Sequence, residues 1–158
     1  MSMLFSKVVA GGMACLGLVS MAWGQEAELE ESEFESNFAG FFVGVTGEDR
    51  RDRGLTLGGV YERRFSEHFG VGAEIERVLG DLDFWVGVVP IAYHAGPWKF
   101  YAGPGVERQD KGETENLLRV GLEYAFEFDG WEASPTFDVD FVDGDTVLIG
   151  GVLFGFGF

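Results

Sequence analysis

Apolar and polar side chains alternate at every second position over most of residues 37–158, and this pattern limits the fold more than any other feature. No apolar repeat of 3.6 residues persists for three turns, which argues against a helical bundle. The alternation is clearest in residues 117–128 and 131–142. Each of these segments predicts a strand whose successive side chains point to opposite sides of a sheet.

Six further segments carry the same pattern: residues 39–46, 55–62, 69–76, 83–93, 98–107 and 148–158. Residues 83–93 are apolar at both sets of positions, so their inward face stays open. The two clearest segments are joined by Asp129-Gly130, a strong signal for a tight hairpin. Eight strands of about ten residues are predicted, the length that a tilted strand needs to cross a hydrocarbon layer.

The polar positions of these strands mix glycine and other small residues with long charged ones. A water-facing surface has no need of so many glycines, whereas a narrow and filled lumen does. The apolar positions form a nearly continuous series, with aromatic residues near the strand ends that resemble lipid-interface girdles: Trp98, Phe128, Trp131, Phe141 and Phe158. The alternation therefore predicts an all-β, eight-stranded antiparallel up-and-down transmembrane β-barrel with its polar face inside.

In lipid, an open sheet edge would leave backbone groups unpaired, so the strands must close into a ring. A ring of eight strands has an interior just wide enough to be filled by side chains. Nine acids and three bases are expected to form a lumen network, which we interpret as structural in preference to a cation path: Glu62, Arg64, Glu74, Glu76, Lys99, Glu107, Arg119, Glu123, Glu127, Glu132, Asp138 and Asp140.

The chain has 27 acidic and 11 basic residues among 158, a formal net charge of −16. Such a charge opposes contact with phosphate backbones, so nucleic acid is not expected as a partner. The only cysteine, Cys15, allows no internal disulfide.

Residues 1–24 have the pattern of a secretory signal, with Lys7 before an apolar stretch and a small-x-small site that predicts cleavage after Gly24. An uncleaved anchor and lipoprotein processing at Cys15 are the alternatives. Residues 25–36 contain six glutamates and no basic residue, and predict a solvated, flexible acidic tail. The predicted barrel then occupies residues 37–158.

The chain resembles the small eight-stranded outer-membrane β-barrel family, the group of OmpX and of the OmpA transmembrane domain. The resemblance rests on the signal pattern, the eight alternating segments and the terminal sequence with Phe154, Phe156 and Phe158. In that family the final strand with its terminal aromatic residue is read by the outer-membrane assembly machinery. The resemblance also implies a Gram-negative outer membrane, contact with its lipid and lipopolysaccharide, and a monomer.

In the family both termini lie in the periplasm, so the acidic tail and the connections near Ser66 and Gly96 are expected there. The connections 48–53, 109–116 and 143–145 are then expected to face outward; the first two are long and the third is intermediate in length. Within the first, Arg50, Arg51 and Arg53 either contact lipid phosphates or balance neighbouring acids. The fold implies no activity, because it carries many functions.

Catalytic and metal signals are weak. Ser66 and His68 lie in a turn and His94 lies beside another, at the end opposite to the outer rim where enzymes of this fold act. The acids at 138, 140, 143 and 145 do not match a calcium-loop pattern. We expect no cofactor, no metal site and no enzymatic activity.

The predicted function is a non-enzymatic envelope protein with a structural or surface role. A lipid A modifying enzyme in the same fold and a soluble periplasmic barrel that binds a lipophile are the alternatives. A change in the acyl chains of lipopolysaccharide would indicate the enzyme, and solubility without detergent would indicate the soluble barrel.

Overall fold

A computed structural model describes residues 35–48, 52–109 and 112–158. The predicted signal segment, Arg50, Arg51 and nearly all of the acidic tail lie outside these residues. Within these residues, no helix is long and apolar enough to cross a membrane.

The described residues form eight strands, two of which are interrupted. The strands are β1 (Asn37–Gly47), β2 (Arg53–Arg64), β3 (Phe69–Gly80), β4a (Phe84–Val88) and β4b (Ile91–Ala95), β5 (Trp98–Gln109), β6a (Thr114–Tyr124) and β6b (Phe126–Phe128), β7 (Trp131–Val142) and β8 (Asp145–Gly157).

Each strand pairs antiparallel with the next, and β8 returns to pair with β1. The closing register runs from Phe38 opposite Gly157 to Gly47 opposite Leu148. Because the ring is closed, no described strand leaves a full edge unpaired. The prediction of an eight-stranded antiparallel barrel is confirmed.

The apolar side chains of the alternation point away from the barrel axis. Ile75, Phe137 and Phe41 are 59%, 51% and 51% exposed, although they belong to the most hydrophobic positions of their strands. Their neighbours in sequence face inward, and Glu76 and Asp138 are 3% and 1% exposed. A protein with this distribution is suited to lipid outside and polar contacts inside.

The fourth strand, whose inward face the sequence left open, is resolved by the structure. Its backbone breaks at Val89 and Pro90, where proline cannot donate to a ladder. The Val89 N–H donates to the carbonyl of Pro104, and the carbonyl of Pro90 accepts from the Gly72 N–H, so the break is bridged from both sides. The buried, inward residues are Phe84, Val86, Val88, Ala92 and His94.

The connections define two ends of the barrel. The terminal end holds Asn37 and Phe158 and the connections 65–68, 96–97 and 129–130. At the distal end, β1 ends and β2 begins, β5 ends and β6a begins, and the connections 81–83 and 143–144 lie there. Asp143 and Gly144 have φ of 44° and 100°, which suits a tight two-residue hairpin turn. This connection is two residues long, one fewer than the predicted three, because β7 and β8 pair up to Val142 and Asp145.

Candidate functional site

Arg119 lies at the centre of the lumen and is fully buried. Its guanidinium donates to both oxygens of Asp140, at 2.8 Å each, and to both oxygens of Glu76, at 2.8 Å each. A further N–H donates to Glu74 Oε2 at 3.0 Å. All five donors of the guanidinium are used, and two carboxylates are held in the bidentate geometry that arginine favours. This cluster therefore ties β3, β6a and β7 together across the lumen.

Tyr101 and Asp138 form a second contact beside this cluster. The Tyr101 hydroxyl donates to Asp138 Oδ1 at 2.5 Å, and both residues are buried. They fit because β6a has a glycine between them, where a Cβ would lie 2.2 Å from Asp138 Oδ1 and from the Tyr101 ring. Gly121 thus makes room for the contact.

A third cluster lies toward the terminal end. The Lys99 ammonium is 2.7 Å from Glu123 and 3.4 Å from Glu62, and His94 Nε2 is 2.6 Å from Glu62 Oε1. All four side chains are nearly buried. Glu62 on β2 therefore binds both His94 on β4b and Lys99 on β5, and Glu123 on β6a binds Lys99 as well.

This cluster forms the floor of a cavity of about 250 Å³ that reaches the terminal end, which we call the vestibule. The half-buried Arg64 and Glu132 line it, and so does Glu127, which is exposed. Arg64 Nε is 3.6 Å from Glu62, and Glu132 accepts a hydrogen bond from Ser134 at 2.9 Å. Glu127 lies directly opposite Glu132 across β6b and β7.

The distal part of the lumen is apolar. We call its buried apolar residues the distal plug: Val78, Leu82, Phe84, Leu117, Val142, Val147 and Ile149. Thr46 and Thr56 complete it with a hydroxyl contact of 2.5 Å. Glu107 is buried at this end, where it pairs in register with Glu115.

A small cavity of about 10 Å³ lies between the vestibule and the distal plug, beside Glu74, Tyr101 and Asp138. A cavity of that volume is at the lower limit for one water molecule. The described part of the lumen is therefore occluded at its centre.

All twelve residues predicted for the lumen lie at inward register positions. Seven of them, together with His94, form the two ion-pair clusters, Asp138 bonds Tyr101, and Arg64, Glu127 and Glu132 line the vestibule. Glu107 lies apart, at the distal end. Sequence reasoning missed His94, Tyr101, Thr136 and the distal plug.

His94 lies beside the 96–97 turn as expected, but the sequence did not predict that its side chain is 7% exposed in the lumen and bonded to Glu62. His94 is two residues from Ala92 and therefore shares its face of β4b. That spacing could have predicted an inward side chain, but both faces of residues 83–93 are apolar, so the sequence did not show which face is inward. His68 is exposed at the terminal end as expected, and Ser66 Oγ accepts the backbone N–H of Phe69 at 3.0 Å. Among the described residues, no group of three or more acidic, histidine or cysteine side chains is placed to hold a metal ion.

No family model matches the chain, and no curated protein matches it in sequence. Solved structures do. The N-terminal β-barrel domain of Pseudomonas aeruginosa OprF aligns with a TM-score of 0.59 at 14% identity, over 78% of this chain and 98% of that one. The Yersinia pestis outer-membrane protein Ail in a phospholipid nanodisc aligns at 0.52 and 13% identity, over 78% and 100%.

A de novo designed transmembrane β-barrel aligns at a TM-score of 0.52 and 9% identity, over 78% of this chain and 98% of that one. At such identities the likeness concerns the fold, and not what the compared proteins do. The closed ring, the outward apolar face and these alignments agree. The chain has the fold of the small eight-stranded outer-membrane β-barrels, and its resemblance to the OmpX and OmpA transmembrane-domain group is confirmed at the level of the fold.

Proposed function

We propose that this protein is a non-enzymatic barrel of the outer membrane with a structural or surface role in the cell envelope. Its lumen is closed to solutes by the charged clusters and by the distal plug. The observation that carries this proposal is the central occlusion, where the Arg119 cluster leaves room for about one water. A solute pore needs a continuous aqueous path, which small barrels lack.

Conductance measurements in planar bilayers test this proposal. We expect the protein, purified from membranes, to give no stable ion channels, while a porin reconstituted in the same lipid gives them. Gel mobility before and after boiling provides the control that the inserted protein is folded. Persistent channels from folded protein would overturn the closed-lumen proposal.

The proposal also places the terminal end in the periplasm and the distal end outside. The outward-facing Phe154 and Phe156 on β8, and Phe158 directly after it, support recognition by the assembly machinery, as the resemblance implies. Replacing Phe158 by alanine should lower the amount of folded protein in the outer membrane several-fold. Phe65 provides the control variant, because it lies at the same end, in the connection between β2 and β3, and is 64% exposed against 58% for Phe158.

The lipid A modifying alternative is tested by mass spectrometry of lipopolysaccharide from cells with and without the protein. We expect identical acyl-chain patterns. The one serine and histidine in close sequence, Ser66 and His68, lie at the terminal end, where Ser66 caps a turn. A changed acyl pattern would overturn the non-enzymatic proposal and leave the membrane assignment standing.

A further inference from the structure

On the described strands, the inward and outward faces of the barrel wall carry net charges of different sign. Every acidic strand residue, from Glu62 on β2 to Asp145 on β8, occupies an inward register position. The charged residues at outward positions of the same strands are all arginines: Arg53, Arg63, Arg77 and Arg108. A chain with a net charge of −16 thus presents positive strand positions to its surroundings.

Three of these arginines gather at the distal end. Arg77 on β3 and Arg108 on β5 are the register partners of Trp85, from either side of β4a. Their backbones are therefore about 10 Å apart, two strand spacings. The Arg77 guanidinium lies 5.3 Å from the centre of the Trp85 ring and also pairs with Asp83. Arg53 begins the adjacent strand β2 and is exposed.

The depth of this group along the wall matches a lipid interface. Eight residues separate Phe69 from Arg77, and ten separate Trp98 from Arg108. At about 3.3 Å per residue and a tilt of about 40°, these are vertical distances of about 20 and 25 Å. The outward apolar band of such barrels is about 25 Å tall. The distal arginines therefore lie at the level of head groups when the aromatic residues of the terminal end lie at the opposite interface.

The two interfaces differ in chemistry. The terminal end carries packed aromatic pairs: Trp98 and Tyr124 meet edge to face with ring centres 4.7 Å apart, and Phe128 stacks on Trp131 at 4.3 Å. At the distal end, Arg77 and Arg108 flank Trp85 on the two neighbouring strands. Guanidinium groups bind phosphate in a planar, bidentate manner, and an aromatic face packs on sugar rings and cations.

We propose that Arg53, Arg77, Trp85 and Arg108, the distal collar, bind the phosphorylated head group of lipid A in the outer leaflet. Lipid A carries phosphates at both ends of a disaccharide, which suits two arginines separated by an aromatic ring. This inference rests on the proposed orientation in the outer membrane. Binding in detergent does not depend on orientation, so the two proposals can fail separately.

The test is native mass spectrometry of the detergent-solubilised protein titrated with lipid A, dephosphorylated lipid A, phosphatidylglycerol or inorganic phosphate. We expect bisphosphorylated lipid A to bind most tightly. Arg108→Gln and Arg53→Gln should each weaken its binding about fivefold, and together about 25-fold. Both variants retain the Arg77–Asp83 pair, and gel mobility before and after boiling confirms that they fold.

Arg63→Gln is the matched control, because Arg63 is also an outward arginine but lies at the terminal end, bonded to Asn37 at 2.9 Å. It should bind lipid A like the unchanged protein. Equal binding of the phosphorylated and dephosphorylated forms would overturn the proposal. An equal loss from Arg63→Gln, or equal affinity for phosphatidylglycerol, would likewise reject the distal collar as a lipid A site.

Discussion

The two ends of the lumen are filled by different kinds of side chain. At the distal end, Phe84, Leu117 and Ile149 fill the interior with apolar surface. At the terminal end, Glu62, Lys99 and Glu123 face a cavity of about 250 Å³. The apolar filling excludes water, whereas the charged filling depends on mutual pairing and on solvent access. Between them, the Arg119 cluster is both charged and dry.

This difference teaches that the free-energy cost of placing a charged side chain in a barrel interior depends more on its access to water than on the charge itself. A carboxylate in the vestibule can be solvated when it has no partner, as Glu127 can. A carboxylate beside Arg119 cannot, and each of the three there is bonded to the guanidinium. We therefore expect the loss of stability on substitution to follow a gradient, largest in the dry centre of the lumen and smallest in the solvated vestibule.

Replacing Arg119 by methionine should have the largest effect. It leaves Glu74, Glu76 and Asp140 without their cation in a dry interior, and breaking a buried ion pair costs about 3–5 kcal/mol. Urea unfolding followed by gel mobility should show this loss in the free energy of unfolding. Arg64→Gln, in the vestibule, should cost much less, and similar losses for the two variants would contradict the proposed gradient.

Phe84→Ala in the distal plug should cost about 3 kcal/mol, because it opens an apolar cavity that water does not stabilise. The same urea experiment measures it, with Phe84→Leu as the volume-retaining control. Channel recordings on the alanine variant should stay silent, since the Arg119 cluster still closes the centre. Stable channels would show that the plug, and not the charged centre, is the barrier.

Gly121→Ala should cost about 1–3 kcal/mol by overpacking, since the added Cβ would lie 2.2 Å from Asp138 and from the Tyr101 ring. Gly150→Ala is the control, because nothing lies within 4 Å of a Cβ at that outward position on β8. An unfolding midpoint that drops equally in both variants would mean that backbone freedom, and not lumen space, explains the glycine content.

Glu127→Gln should have the smallest effect and the opposite sign. Glu127 lies directly opposite Glu132 on the neighbouring strand, and such a like-charge pair destabilises a sheet by at most about 1 kcal/mol. The substitution removes this repulsion. The free energy of unfolding should therefore rise slightly at low salt, and the gain should shrink at high salt. Glu62→Gln should destabilise instead, because that carboxylate holds His94 and Lys99.

The strand pattern was readable because a pleated strand alternates its side chains whatever its partners are. Positions such as Phe137 and Asp138 therefore predicted their sides of the wall without any knowledge of contacts. Residues 83–93 failed because apolar residues occupy both faces there. Only the register of β4a with β3 and β5 shows that Phe84 faces in and Trp85 faces out.

Partners within the lumen were beyond the sequence pattern. Nothing local distinguishes Glu74 and Glu76, which share Arg119, from Glu62, which binds His94 and Lys99. Those pairings depend on the stagger of strands around the ring. The distal plug was missed for the same reason, since Val78 on β3, Leu117 on β6a and Ile149 on β8 come from separate strands and meet only after closure.

By itself, the sequence determined the number of strands, their alternation, the acidic residues of the interior and the outward position of the apolar residues on the strands where apolar and polar residues alternate clearly. These follow from the two-residue period and from the need of lipid for a closed ring. Only the tertiary structure decided which acid binds which base, and where the lumen is wet, charged or apolar. Those features arise from contacts between strands distant in sequence, which no local pattern encodes.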